Sequence, residues 1–203
     1  MHSEAILSTA RLNIINVGYD AANYYLLAAP QARLLIDVDW PGTLPRLRAA
    51  LKRMGSDLAE VTHLLVTHYH PDHAGLAQEL KRLGIKLIVL ENQPAGIMAL
   101  KQYMKPDSGY VEITPHDNIV LRSVDSCAFL RGLGIAGEIL PTPGHSDDSV
   151  TLLLDSGAAF IGDLPAVRIS DDPAHPANVS MEQLLLKGAR LLYPGHGPLR
   201  PLP

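Results

Sequence analysis

The sequence predicts an α/β protein in which helices cover a pair of β-sheets. Strand patterns occur in two groups along the chain, and helical patterns are mixed with the strands of each group. The apolar strand patterns lack strict alternation of apolar and polar residues, which is typical of strands that are covered on both faces. With 203 residues the chain can bury a sizeable core, and we expect a single domain over residues 1–203.

The first group combines predicted strands and helices. Short turns separate its first three strands, which indicates an antiparallel meander. Apolar residues at helical spacing, such as Leu44, Leu47 and Leu51, predict the helices. The strands are predicted over residues 11–17, 23–28, 32–37, 61–66 and 85–90, and the helices over 43–54, 74–83 and 94–103.

The second group consists mainly of predicted strands. A turn at residues 156–157 joins two of them into a hairpin. Ser180 is predicted to cap a short helix. Residues 104–118 and 164–179 are predicted loops because prolines interrupt any regular period. The strands are predicted over residues 138–141, 149–155, 158–163 and 190–193, and the helix over 181–187.

Composition limits the partners and the compartment. A net charge of −4 gives no general attraction to nucleic acid or to an anionic membrane, so we expect neither partner. Cys127 is the only cysteine, which excludes an internal disulfide and favours a structural thiol within the mixed stretch 123–128. Residues 1–8 lack the features of a signal peptide, and no apolar run reaches the length of a membrane span. We therefore expect a cytoplasmic protein.

A dense group of metal-type ligands follows the predicted strand 61–66. His68, His70, Asp72 and His73 fall within six positions, on a loop that leads into a predicted helix. Side chains two apart in an extended chain point the same way, so His68 and His70 can bind one ion. Asp72 and His73 begin the helix and point elsewhere, which makes a second ion feasible.

Three isolated ligands come at the ends of later strands. His145 follows Pro143-Gly144, Asp163 follows Gly162, and His196 lies between Gly195 and Gly197. A neighbouring glycine lets the backbone turn sharply or approach closely. One such residue would carry little weight, but three of them at strand ends predict a shared site with the dense group. His116, beside Pro115 and Asp117, is instead predicted to be a turn residue.

The order and spacing of these residues resemble the metallo-β-lactamase superfamily over essentially the whole chain. The resemblance implies a four-layer αββα sandwich of two mixed β-sheets with helices on both outer faces. It implies that three residues hold a first metal ion, three hold a second, and Asp163 bridges the two, with Asp72 and Asp163 as catalytic residues. The implied ligands are His68, His70 and His145 for the first ion and Asp72, His73 and His196 for the second. The matching motifs are Thr67-His68-Tyr69-His70-Pro71-Asp72-His73, Thr142-Pro143-Gly144-His145-Ser146, Gly162-Asp163 and Pro194-Gly195-His196-Gly197.

The donor set has its own chemical meaning. Five imidazoles and two carboxylates suit two Zn²⁺ ions, with Fe or Mn as alternatives because carboxylates are harder donors. Two ions can share a hydroxide and polarise a carbonyl together, which predicts a hydrolase that needs no side-chain nucleophile. Other acids and hydroxyls near the motifs have two interpretations each, turn chemistry or orientation of a metal-bound histidine. They are Asp37, Asp39, Ser146, Asp147, Asp148 and Ser149.

Differences between this chain and known members of the superfamily narrow the range of expected substrates. Exported β-lactamases commonly lack the bridging aspartate, whereas this chain has Asp163 and no recognisable export signal, so we do not expect that activity. Glyoxalase II enzymes resemble the seven ligands but continue into a helical glutathione-binding domain. Here only seven residues follow His196, which argues against glutathione specificity but not against thioester cleavage.

The leaving group favours a small thioester substrate. Lactonases of the superfamily place a tyrosine three residues after the bridging aspartate, where this chain has Ala166; Tyr69 and Tyr193 are the candidate replacements. A thiolate leaves with little need for a proton, whereas an alkoxide needs one. Lactone hydrolysis, a persulfide dioxygenase-like reaction at one iron and a non-enzymatic binding protein stay open as alternatives.

Overall fold

A computed structural model describes residues 12–202, which form two mixed β-sheets. In the first sheet, the three leading strands are antiparallel neighbours, as the meander predicted, and the other three add to the edge in parallel. The order across this sheet follows the chain. Its strands are β1 (Asn13–Asn16), β2 (Tyr25–Ala28), β3 (Arg33–Ile36), β4 (His63–Leu65), β5 (Lys86–Leu90) and β6 (Ile119–Leu121).

The second sheet has five strands in the order β11-β10-β9-β8-β7. These are β7 (Gly137–Pro141), β8 (Val150–Leu154), β9 (Ala158–Gly162), β10 (Leu191–Pro194) and β11 (Arg200–Pro201). The predicted hairpin is present as the antiparallel pair β8 and β9. Strands β9 and β10 are parallel, so both end at the same edge of the sheet.

Six α-helices surround the sheets within the described residues. They are α1 (Leu44–Arg53), α2 (Pro71–Ala74), α3 (Ala77–Arg82), α4 (Pro94–Leu100), α5 (Ser123–Gly132) and α6 (Pro176–Leu186). Helices α1, α3 and α4 cover the outer face of the first sheet through Leu47, Leu80 and Leu100, among others. Helix α6 covers the outer face of the second sheet, where Leu184 packs near Leu192. This is the predicted four-layer αββα arrangement.

Successive side chains of a strand point to opposite faces of the sheet, which explains why strands such as β3 and β8 have apolar residues on both faces. In β8, Val150 and Leu152 point into the cluster between the sheets, whereas Leu153 points into the cluster beneath α6. Leu34 and Leu35 of β3 divide in the same way between the inner and outer clusters. Both strands therefore contribute to two cores. The site lies where strands of the two sheets end.

Several sequence predictions of local structure were incomplete or wrong. The predicted helix 74–83 is divided into α2 and α3, with Gly75 and Leu76 between them. A Cβ at Gly75 would lie 2.6 Å from the Asp39 carbonyl oxygen, so this close approach requires a glycine. Ser180 is not the cap of the last helix. That helix begins at Pro176, and Ser180 lies inside it, where its Oγ–H donates to the Pro143 carbonyl at 2.7 Å.

Three of these elements were not predicted. Strand β6 is three residues long, strand β11 is two residues long, and α5 occupies the mixed stretch that contains Cys127. The N-terminal features, residues 1–8 and the predicted strand start at Arg11, lie outside the described residues.

Candidate metal centre

The seven predicted ligands come together at the ends of strands from both sheets. His68 and His70 lie on the loop after β4, and Asp72 and His73 lie in the first turn of α2. Pro71 at the first position of α2 fixes where that helix begins. The other three ligands follow β7, β9 and β10, and they are His145, Asp163 and His196.

Three histidines form the first group. The Nε2 of His68 lies 3.1 Å from Nδ1 of His70, and the Nε2 of His145 lies 3.0 Å from the same atom. All three nitrogen atoms lie within 4.8 Å of one another, a spacing that could hold one metal ion. One proton on the His70 nitrogen cannot serve both neighbours, so a cation between the three nitrogens accounts for the arrangement better than hydrogen bonds do.

Asp72, His73 and His196 form the second group. The Nε2 of His196 lies 3.3 Å from Nε2 of His73 and 3.2 Å from Oδ2 of Asp72. The Nε2 of His73 lies 3.7 Å from the same Asp72 oxygen. These three atoms also lie within 4.8 Å of one another.

Asp163 lies between the two groups. Its Oδ1 is 3.4 Å from Nε2 of His73, and its Oδ2 is 3.7 Å from Nε2 of His145 and 3.6 Å from Nε2 of His196. The Oδ1 atom is buried and has no hydrogen-bond donor among the described residues. A buried carboxylate oxygen without a donor is costly unless a cation satisfies it. Together with five imidazoles and a second carboxylate, this orphaned oxygen shows that the residues fit a pair of divalent ions.

Asp37 orients two of the histidines. The Nδ1–H of His73 donates to Oδ2 of Asp37 at 2.9 Å. Thr67 donates to the same carboxylate through its backbone N–H and its hydroxyl, each at 2.7 Å. Because the Thr67 hydroxyl proton points to Asp37, its oxygen accepts from Nδ1 of His68 at 3.2 Å. Both histidines therefore turn Nε2 toward the cluster, as metal-ligating histidines do.

The two interpretations of Asp37 turn out to be compatible, because its backbone also adopts φ +60°. His196 is oriented separately, through its Nδ1, by the Ala21 carbonyl at 2.8 Å. Asp39 has a different role from Asp37. It lies beside the hydroxyls of Tyr19 and Tyr24, and burial together with this carboxylate raises the pKa of both tyrosines.

The pKa values of three histidines in the cluster shift in different directions. Burial, and then the neighbouring imidazoles, holds the pKa of His68 well below its ordinary value. Burial likewise lowers the pKa of His145. Burial alone would lower the pKa of His73, but Asp37 and Asp163 outweigh it and raise the pKa to about 10. In return His73 holds the pKa of Asp163 below its ordinary value despite burial.

The acids and hydroxyls after His145 divide into different roles. Asp148 accepts from the Tyr69 backbone N–H at 2.7 Å and so ties the His145 loop to the first ligand loop. Ser146 and Ser149 bond to each other at 2.8 Å. Asp147 is exposed, which fits the turn interpretation.

Sequence reasoning gave no role to three residues at the site: Thr67, Gln93 and Tyr103. Gln93 donates to the carbonyls of Val66 and Asp148, and the Tyr103 ring lies against His70 with centroids 5.5 Å apart. Only Thr67 carried a signal, as part of the first motif.

Other singled-out residues lie apart from the cluster. His116 is exposed beside Asp117, with a contact of 3.1 Å, as expected of a turn. Cys127 is half-buried on α5. The Tyr193 ring packs against Phe160 in the core between the sheets, and the Tyr69 hydroxyl is buried without a partner among the described residues. Neither tyrosine stands over the cluster as a proton donor.

Comparisons with known proteins agree with this geometry. The chain is 31% identical over 183 residues to the lactamase-like protein nscB of Trichophyton rubrum, covering 86% of this chain and 48% of the relative. It is 26% identical over 184 residues to the beta-lactamase-like protein 2 homolog of Caenorhabditis elegans, covering 87% and 56%. It is also 30% identical over 142 residues to a hydroxyacylglutathione hydrolase of Rhodopseudomonas palustris, covering 67% and 44%. The chain thus spans about half the length of these curated relatives.

Solved structures show the same fold. The metallo-beta-lactamase family protein TTHA1429 of Thermus thermophilus superposes with a TM-score of 0.72 at 23% identity, covering 93% of this chain and 73% of that one. Within residues 12–202, none of the helices has the length and apolar character needed to cross a bilayer. The family model for the metallo-beta-lactamase superfamily matches residues 17–196, which include all seven clustered side chains. The resemblance is confirmed, and the chain belongs to the metallo-beta-lactamase superfamily.

Proposed function

We propose that this chain is a metal-dependent hydrolase that holds two Zn²⁺ ions, or Fe or Mn in their place, and cleaves a small ester-like molecule, preferably a thioester. The observation that carries the proposal is the position of Asp163, whose two oxygens face ligands of both groups. Two groups of three donors that share one carboxylate form the donor set of a dinuclear site.

In such a site, some residues of the chain would bind the metal ions and others would orient those ligands. The first ion would be held by His68, His70 and His145, the second by Asp72, His73 and His196, and Asp163 would touch both. When bound, the ions supply a water-derived nucleophile near neutral pH and polarise the scissile carbonyl. Asp37 and Thr67 keep His73 and His68 in the tautomer that binds metal.

Asp72 and Asp163 are proposed as the catalytic carboxylates. Both would contact an ion, and both are partly exposed to solvent, with 27% of the Asp72 side chain and 19% of the Asp163 side chain accessible. His73, by contrast, is fully buried and can act only as a ligand.

The proposed preference for thioesters rests on a missing hydroxyl in the wall of the cavity beside Asp163. Ala166 lines the cavity beside Asp163, at the position where lactonases of the superfamily place a tyrosine. Without a hydroxyl there, a thiolate is a better leaving group than an alkoxide because it needs no proton. The name of the relative from Rhodopseudomonas palustris, hydroxyacylglutathione hydrolase, further supports hydrolysis.

Metal analysis of the purified protein, followed by a panel of small thioesters, lactones and phosphodiesters, tests the proposal. We expect two metal ions per chain and the highest kcat/KM on thioesters. His68→Ala and Asp163→Ala should each abolish hydrolysis while circular dichroism shows a folded chain, and His116→Ala, an exposed histidine outside the site, serves as the control. Full activity in either ligand variant, or one iron with oxygen uptake, would contradict it.

A further inference from the structure

A cavity of about 290 Å³ opens on one side of the cluster. Three of the proposed ligands, His145, Asp163 and His196, line this cavity together with Arg200 of strand β11. The remaining walls are mostly apolar. The apolar lining consists of Leu164, Ala166, Val167 and Pro194.

Arg200 is held at this cavity by its strand and is available for a ligand. Its backbone pairs with Leu192 of β10, which leads directly to His196. Among the described residues, Asp163 is the only carboxylate that lines the cavity, and it faces the histidines rather than Arg200. The nearby Arg168 differs, because its guanidinium already donates to the carbonyls of Ser170 and Asp171.

A second cavity beside the cluster has a different character. It has a volume of about 250 Å³ and is lined by His70, by small residues of α4, including Ala95, Gly96 and Ala99, and by the Tyr103 ring. The charged side chains on that side are acidic, Asp147 and Asp148. A negatively charged group would therefore be repelled from this side and attracted to the side of Arg200.

We propose that Arg200 binds an anionic group of the substrate, so that the substrate is a short thioester with a carboxylate or phosphate a few bonds from the scissile carbonyl. The fork of the guanidinium matches either group through two parallel hydrogen bonds. The uncharged end of the substrate then extends toward Tyr103 and the small residues of α4. This inference rests on the proposed function, and it adds the class of substrate and the direction in which it binds.

The test compares matched thioesters in the metal-loaded protein. The neutral reference is the butanoyl thioester of N-acetylcysteamine. The succinyl thioester of the same thiol places a carboxylate on the acyl side, whereas butanoyl thioesters of 3-mercaptopropionate and of 2-mercaptoethyl phosphate place the charge on the thiol side. We expect the wild-type protein to prefer at least one anionic thioester over the neutral one, and the preferred member identifies the group.

Variants of Arg200 decide the assignment. Arg200→Gln should lower the ratio of kcat/KM for the preferred anionic thioester to that for the neutral one by about tenfold, as expected for a partly exposed charged hydrogen bond. Arg200→Lys should restore part of the ratio. Arg82→Gln, which removes an exposed arginine from the end of α3, should leave the ratio unchanged. An unchanged ratio in Arg200→Gln, or no wild-type preference for any anionic thioester, overturns the proposal.

A binding measurement separates this inference from the proposed hydrolysis. Calorimetry compares succinate with butanoate, which differ by one carboxylate, on the metal-loaded wild type and Arg200→Gln. Tighter binding of succinate that disappears in the variant supports Arg200 even where no thioester is hydrolysed, in which case only the proposed function fails. Equal binding of the two acids by the wild type counts against Arg200.

Discussion

At the scale of single residues, Asp37 links the backbone of the first sheet to the ligand geometry. Its left-handed backbone turns the chain away from β3, and this turn places a buried carboxylate beneath the first ligand loop. That carboxylate accepts three hydrogen bonds, from two groups of Thr67 and from His73. One residue therefore fixes the tautomers of two ligands in different groups.

Asp37→Asn is expected to weaken metal binding about 10–100-fold, as for other residues that support metal-bound histidines. Asparagine tolerates the left-handed backbone, so the loss would come from the hydrogen bonds rather than from strain. An amide cannot accept all three bonds, and the free energy of unfolding should fall by about 1–3 kcal/mol.

Competition with a chromophoric chelator measures the affinity, and urea unfolding measures the stability. Asp117→Asn is the matched control, because Asp117 has φ +61° but is exposed and lies apart from the site. Equal metal affinity in the two variants would contradict the role given to Asp37.

At the scale of elements, the end of β9 meets the loop after β4, which brings the two sheets together at the site. Gly162, the last residue of β9, adopts φ +53°, and a Cβ there would lie 2.8 Å from the Thr67 Cβ. The close approach is possible only without a side chain, and it places Asp163 next to the histidines. The position is thus set by two strands that are far apart in sequence.

Gly162→Ala is expected to lower the free energy of unfolding by about 2–4 kcal/mol, since backbone strain and overpacking act together. Gly188→Ala introduces backbone strain without overpacking, because Gly188 has φ +88° and open space around it. This variant should lower the free energy of unfolding by about 1–2 kcal/mol. Urea unfolding compares the two. A similar loss of unfolding free energy in both variants would mean that Thr67 moves aside without cost, so that overpacking at Gly162 adds nothing to the backbone strain.

The elements that the sequence predicted are those with a clear period or a long apolar run. Strands such as β5 and β8 are apolar because both of their faces are buried. Strand β6 was missed because it is three residues long and its central Val120 is exposed, and α5 was missed because only Ser126 and Leu130 of that helix are buried. Local sequence carries little signal for such edge elements.

The candidate site also contains some features that the sequence predicts and others that only the fold shows. All seven clustered side chains could be predicted because each stands at a strand end, beside a glycine or within the dense motif. The contact of Thr67 with Asp37 joins residues 30 positions apart in the chain. Arg200 follows His196 closely, but the cavity that it lines also depends on His145 and Asp163, which come much earlier in the chain. One sequence does not reveal such pairs. Only the folded chain brings them together.

At the scale of the whole molecule, the core consists of three hydrophobic clusters. The clusters beneath α1 and α3, between the sheets, and beneath α6 contain none of the seven proposed ligands. The fold therefore does not depend on metal for its core. Bound metal would act locally. It would satisfy the orphaned Asp163 oxygen and would bind the imidazole nitrogens that lie close together.

Removal of metal with a chelator should therefore leave the fold intact but lower its stability. A ligand that binds only the folded chain stabilises it by about 4 kcal/mol when its free concentration is about 1,000 times Kd. For a chain of this size such a change corresponds to a fall in Tm of about 8–16 °C on chelation. Far-UV circular dichroism at 25 °C should not change, because the apolar clusters remain packed. Thermal melts of the loaded, chelated and reloaded protein measure the effect, with Asp163→Ala as a variant whose Tm should respond weakly to metal. A collapse of the dichroism signal on chelation would instead show that the metal is required for folding, and an identical Tm in all three states would show that the cluster binds no metal under those conditions.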